Sequence, residues 1–204
     1  METPEGRGAL PDDRAAAEGR EVLRTETPRI YLASLSDYNA GILHGEWIDA
    51  NQAPEELHAA AAAMLARSPS DPRAEEFAIH DFDNFGRYRV GEYDSLDWVS
   101  RVARGIDEHG PAFAAWAELS DHDHETLDRF DDAYLGERDS LEAYAEELLT
   151  DLGYVETIER AVPETLQPYV SIDFAAFADE LRSNGSLTVI ENDRGGVWVF
   201  EESI

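Results

Sequence analysis

The chain contains no lysine and no cysteine. Without cysteine it has no disulfide, no thiolate metal site and no thiol nucleophile. Without lysine it has neither Schiff-base chemistry nor the cation of a phosphate-binding loop. Long apolar runs are missing as well. A stretch such as Ala59–Ala66 is too short and too rich in alanine to span a bilayer. No basic stretch leading into an apolar one opens the sequence, so the expectation is a cytoplasmic chain that is not secreted. Cations of any kind are scarce: 16, all Arg, against 45 acids, for a formal net charge of -29.

What remains is foldable. Hydrophobic residues make up 43% of the 204, with Trp 4, Tyr 8 and Phe 8, which argues against wholesale disorder. Residues 1–28 read as a disordered tail, rich in Gly, Pro and charge, with seven acids against four Arg. The body from residue 29 onward therefore carries almost all of the charge. An anionic membrane or a nucleic acid would be repelled by it. Its natural partners are basic surfaces, cations or bulk salt.

The predicted architecture is α+β, in three small units. Residues 29–85 form a mixed α/β unit in ββαβ order. RIYLASL (29–35), GILHGEWIDA (41–50) and EFAIHDF (76–82) are its strands, and a helix starts at Pro54 and runs to about Arg67. Residues 86–133 are helical. Asp94–Asp97 supplies an N-cap, and Leu96, Val99, Val102, Ala103 and Ile106 make a stripe of helical spacing. Gly110 and Pro111 separate that helix from the next, and a third short helix carries Leu127, Phe130 and Tyr134. Residues 134–204 form an α+β unit. Asp139 or Ser140 caps a helix from Leu141 to Gly153, and Ser171–Asp173 introduces another that ends at Asn184–Gly185. SLTVIE (186–191) and GVWVFE (196–201) close it as a hairpin. This third unit is the most acidic, with 16 acids against four Arg.

On the helix from Leu141, the pairs Glu142–Glu146 and Glu147–Asp151 are like charges at i,i+4, each costing about 0.2–0.5 kcal/mol. Asp151 also sits at the end of the helix dipole that disfavours an anion. Solubility alone needs far less charge. Two readings stay open on composition. The acidity is an adaptation to high salt, or it is a surface for a basic partner. At the line density of duplex DNA, one charge per about 1.7 Å, the charge beyond the tail would match about 44 Å of double helix.

Catalytic constellations are weak. His122 and His124 bracket Asp123, but no further ligand set follows at motif spacing, so they read as a polar interhelical loop. His80–Asp81 lacks a nucleophile motif and reads as a pair at a strand end. Carboxylate pairs are so common here that they do not single out an acid–base site, although an acidic hydrolase with convergent carboxylates is a third class. No dinucleotide fingerprint, phosphate loop or HExxH is present, and no cofactor is expected.

Particular strings go further. RIYLASLSDYNAGILHGEWIDA (29–50), FAIHDFDNF (77–85), LEAYAEELLTDLGYVE (141–156), YVSIDFAAFADEL (169–181) and VWVFE (197–201) resemble the ArdA antirestriction proteins. The likeness covers about residues 29–201. It implies an elongated, curved, three-domain homodimer, commonly encoded on mobile genetic elements. Such a dimer mimics bent DNA and fills the DNA-binding groove of type I restriction–modification enzymes, blocking restriction and often modification without catalysis. Acids then become the candidate binding surface: Asp128, Asp131, Asp132, Glu137, Asp139, Glu142, Glu146, Glu147, Asp151, Glu156, Asp179 and Glu180. Dimer contacts are expected in residues 134–204. Two departures stand out. The 28-residue extension exceeds the family core, and Asp179 stands where many relatives carry Arg. The alternative is an acidic, non-catalytic interaction protein for another basic partner, with acidity owed partly to salt.

Overall fold

The computed structural model describes residues 26–202, so most of the stretch read as a tail, residues 1–25, lies outside them. The fold is α+β. Strand β1 (Arg29–Ser34) runs into a short helix α1 (Leu35–Asn39), followed by β2 (Gly45–Asp49), α2 (Pro54–Leu65) and β3 (Phe77–Asp83). The three strands pair antiparallel in the order β2–β1–β3. Alternation decides their faces. Ile30, Leu32, Ile48 and Ile79 are buried beneath α2, while Arg29, Trp47 and Asp49 lie on the outer face. The second strand is shorter than its sequence suggests, because residues 35–44 are spent on α1 and a tight turn. Ser34 caps α1 and accepts from the Asp37 N–H.

Asp37 explains why that turn is so well defined. Its side chain is fully buried. One carboxylate oxygen accepts from the Ser68 hydroxyl (2.9 Å), the Ser70 N–H (3.0 Å) and the Ser70 hydroxyl. The other finds no protein donor among the described residues. Burial pushes the carboxyl up, but the hydroxyls of Ser70, Ser34 and Ser68 outweigh it and hold Asp37 well below the usual carboxylate range. The charge thus ties α1 to the loop between α2 and β3.

Helix α3 (Leu96–His109) starts at Ser95, whose hydroxyl accepts from the Trp98 N–H. Its expected stripe is buried, and Trp98 with it. The indole N–H donates to the Tyr88 hydroxyl (2.7 Å), which donates to Asp94 (2.8 Å). Burial, and then Asp94, push the Tyr88 phenol up. Gly110, at φ +76°, breaks the helix, and Pro111 opens α4 (Pro111–Leu119). Two short helices follow, α5 (His124–Asp128) and α6 (Phe130–Ala133). Tyr134, expected on a helix, instead begins strand β4 (Tyr134–Arg138).

Helix α7 (Leu141–Asp151) is capped by Ser140, which accepts from the Ala143 N–H. Gly153 takes the left-handed conformation (φ +73°) that ends such a helix. A further helix starts there, α8 (Tyr154–Ala161), which the sequence reading passes over. A 3₁₀ turn (Gln167–Tyr169) leads to α9 (Phe174–Ser183), capped by Asp173. Strands β5 (Leu187–Glu191) and β6 (Val197–Glu201) form the expected hairpin, but β4 joins it to give an antiparallel sheet in the order β4–β6–β5.

Strand β6 is buried on both faces. Trp198 and Phe200 enter one hydrophobic cluster, which extends from Ile30 through the α3 and α4 residues to Ala133. Val197 and Val199 enter another, with Leu141, Ala145, Ala178 and Leu187. Phe200 stacks with Trp116 at 5.1 Å and packs on Tyr134 at 5.4 Å. Burying such a side chain contributes about 1.5–3 kcal/mol. One strand therefore fastens the large cluster to the small one.

Candidate partner-binding surface

All twelve acids singled out from the sequence are exposed. Asp128 ends α5, and Asp131 and Asp132 lie on α6. Glu137 is on β4, and Asp139 lies in the turn after it. Glu142, Glu146, Glu147 and Asp151 lie on α7, Glu156 on α8, and Asp179 and Glu180 on α9. Helices α7 and α9 pack together, which brings their acids into one part of the molecule.

The twelve are not equally available to a partner. Arg101 pairs with Asp128, His109 Nδ1 lies 3.6 Å from Asp131, and Arg160 pairs with Glu156. Glu147 takes Arg138 in a two-pronged contact, one arm at 2.9 Å, and this raises the guanidinium above its ordinary range. Glu137 accepts from the Asn192 amide at 2.8 Å. Asp132, Asp139, Glu142, Glu146, Asp151, Asp179 and Glu180 enter none of the ion pairs among the described residues. The like-charge pair Glu142–Glu146 thus stands unrelieved, while in Glu147–Asp151 the first member is neutralised.

The histidines have other employment. His122 Nε2 lies 2.8 Å from Asp94 and its ring packs on Trp98 at 5.1 Å. His124 meets the same indole edge-on at 5.0 Å and contacts Arg101. His80 packs edge-on against Tyr38 at 4.9 Å, and the Asp81 carboxylate accepts from the Phe82 N–H. Among the described residues no group of three or more His, Asp or Glu converges as a metal site. No helix there is long and apolar enough to cross a membrane.

One feature escaped the sequence reading. Between α8, the 3₁₀ turn and the start of α9 runs a groove of about 480 Å³, with Val155, Ile158, Val162, Val170, Ile172 and Phe174 along it and Glu146 and Glu159 at its edge. Tyr154, Leu166 and Tyr169 are exposed in or beside the same segments, Tyr169 at 85%, and Leu152 is exposed at the end of α7. The i,i+3,i+7 spacing of Val155, Ile158 and Val162 was the available signal.

A search of curated proteins gives no match. The family model for the antirestriction protein ArdA matches residues 30–194, most of the chain and nearly all of the described residues. The chain belongs to the ArdA antirestriction family.

Proposed function

We propose that the protein is a non-catalytic inhibitor that mimics DNA and occupies the DNA-binding groove of a type I restriction–modification enzyme, inhibiting restriction. The observation that carries this reading is the set of seven exposed carboxylates outside the ion pairs among the described residues, from Asp132 through α7 to α9, in a member of an antirestriction family. A DNA-binding channel neutralises phosphates with cations. Carboxylates of similar density attract the same cations, and the summed field speeds encounter. Two copies pair through the apolar groove of α8 and α9, because so much exposed apolar surface in one segment is the signature of an interface. Pairing doubles the length of charged surface presented to the groove. The resulting complex acts in the cytoplasm, on the enzyme that would otherwise cut incoming DNA.

A competition assay tests this. Purified protein is titrated against a type I enzyme bound to labelled duplex, over a series of salt concentrations. Displacement that weakens steeply with salt supports the reading. No displacement at low salt with excess protein defeats direct mimicry. In that case the alternative, an acidic interaction protein for another basic partner, is addressed by capture from cells with and without the restriction subunits.

A further inference from the structure

A different surface lies on the first sheet. Residues directly opposite one another in an antiparallel pair share a face. Tyr31 stands opposite Trp47 on one side and Asp81 on the other. The Tyr31 and Trp47 rings are 5.7 Å apart. An irregularity in the pairing between Tyr31 and Leu32 leaves His80 as an extra residue beside Asp81, and Tyr38 of α1 packs on it. Trp47, Tyr31, His80 and Tyr38 thus make a row of rings across the solvent side of the sheet. Trp47 is 40% and Tyr38 55% exposed. A groove of about 510 Å³ runs along β3, with Tyr38, Asp81, Val90 and Glu92 among its walls. The row is held in place. Asp37 pins the turn that carries Tyr38, and the Ile42 N–H donates to the Asp37 carbonyl at 2.9 Å.

The chain itself displays what such a face accepts. Arg29 lies with Cζ 4.8 Å over the Trp47 ring, while its Nη2 is 2.9 Å from Asp83. A ring beneath and a carboxylate beside it suit a planar, weakly hydrated guanidinium better than an ammonium. The same combination recurs across the sheet at Tyr38, His80 and Asp81. There, neither Asp81 nor Glu92 enters an ion pair among the described residues. Glu92 does face the Tyr93 hydroxyl and raises it.

We propose that this face docks arginine side chains of a basic protein partner, with the groove along β3 as a guanidinium seat. The identity of that partner, the restriction enzyme, rests on the inhibitor reading; the arginine preference does not. The face would add to the Coulombic attraction a contact that salt screens less, because it is made over rings.

The test uses the full chain with an oligoarginine and an oligolysine peptide of equal length, followed by tryptophan fluorescence and by aromatic NMR signals. At low salt both peptides bind anywhere on the acidic surface. At high salt the arginine peptide is expected to bind about three- to tenfold tighter than the lysine peptide, with shifts at Tyr38, His80 and Trp47. Tyr38→Ala and Asp81→Asn, checked for native far-UV dichroism, should each reduce that preference, and Glu142→Gln on α7 should leave it. Equal binding of the two peptides at high salt overturns the proposal, as do arginine-specific shifts elsewhere. Rings already shielded from a paramagnetic solvent probe in the free chain would also overturn it, placing residues 1–25 or a second copy on the face. No restriction enzyme enters the experiment, so its failure and that of the inhibitor reading are told apart.

Discussion

Helices α3 and α8 both carry apolar side chains at helical spacing, and the two use them in opposite ways. On α3, Leu96, Val99, Val102, Ala103 and Ile106 are buried against α2 and α4. On α8 no residue is buried, and Ile158 remains 39% exposed beside an open groove. The first stripe serves the chain's own core. The second is left over once folding has taken what it needs. The acids divide the same way. Asp37 is buried and Asp94 half-buried, both hydrogen-bonded in the large body, whereas the carboxylates of α7 and α9 face solvent, several outside the ion pairs of the described residues. Packing determines the first region, and what it offers outward determines the second.

The sharpest way to break this contrast is at the strand that spans it. Phe200→Ala empties a fully buried site and is expected to cost about 3–5 kcal/mol, read as a lowered urea midpoint. At concentrations too low for self-association, Ile158→Ala should change stability by about 0.5 kcal/mol or less, as for other surface substitutions. A large loss for Ile158→Ala would mean that α8 belongs to the core after all.

Ile158→Asp asks what the leftover stripe is for. Self-association should weaken by about tenfold or more, as expected for a residue central to an interface, with far-UV dichroism unchanged. Sedimentation over a concentration series reads the effect, and unchanged association would remove α8 from the interface.

A smaller effect is expected from thinning the acids of α7. Glu142→Gln, Glu146→Gln and Asp151→Asn, added one at a time, should lower inhibition of the restriction enzyme stepwise. Relieving Glu142–Glu146 should raise stability by about 0.2–0.5 kcal/mol. A collapse of inhibition at one step would point instead to a single essential carboxylate.

A last test concerns Asp37 and pH. Its folded carboxyl lies below its unfolded value of 3.8, so the unfolded chain takes up the proton first. Its contribution is fully present above that pH and fades as the pH falls further. The advantage of the native chain over Asp37→Asn in urea should therefore be flat near neutrality and shrink below 3.8. An advantage unchanged down to acid pH would show that shape rather than charge holds the turn.

Much of this was legible where the signal is local. Ser95, Ser140 and Asp173 announce their helices, because a cap satisfies N–H groups within three residues. Pro54, Gly110 and Gly153 mark boundaries through their own backbone preferences. What stayed hidden depends on distant partners. Strand β4 is a five-residue segment broken by Gly136, and it is a strand only because β6, some sixty residues later, lies beside it. Helix α8 was missed because Gly153 reads as an end, and nothing local says that another helix starts on it. For the surface, exposure of the acids followed from their positions on amphipathic helices. Which of them are neutralised did not. Arg138 reaches Glu147 across nine residues, and Arg101 reaches Asp128 across 27.

Strand β6 has a last consequence, for synthesis. Everything in the large cluster up to Ala133 is synthesised before Trp198 and Phe200, and so are α7, α8 and α9. At about 5–20 residues per second, the nascent chain spends several seconds with both bodies begun and neither closed. During that interval β4 lacks its neighbour, and the rings of Trp116 and Tyr134 lack the one that covers them. Self-repulsion among the carboxylates would then hold unfinished chains apart, so the charge would safeguard assembly before it meets any partner.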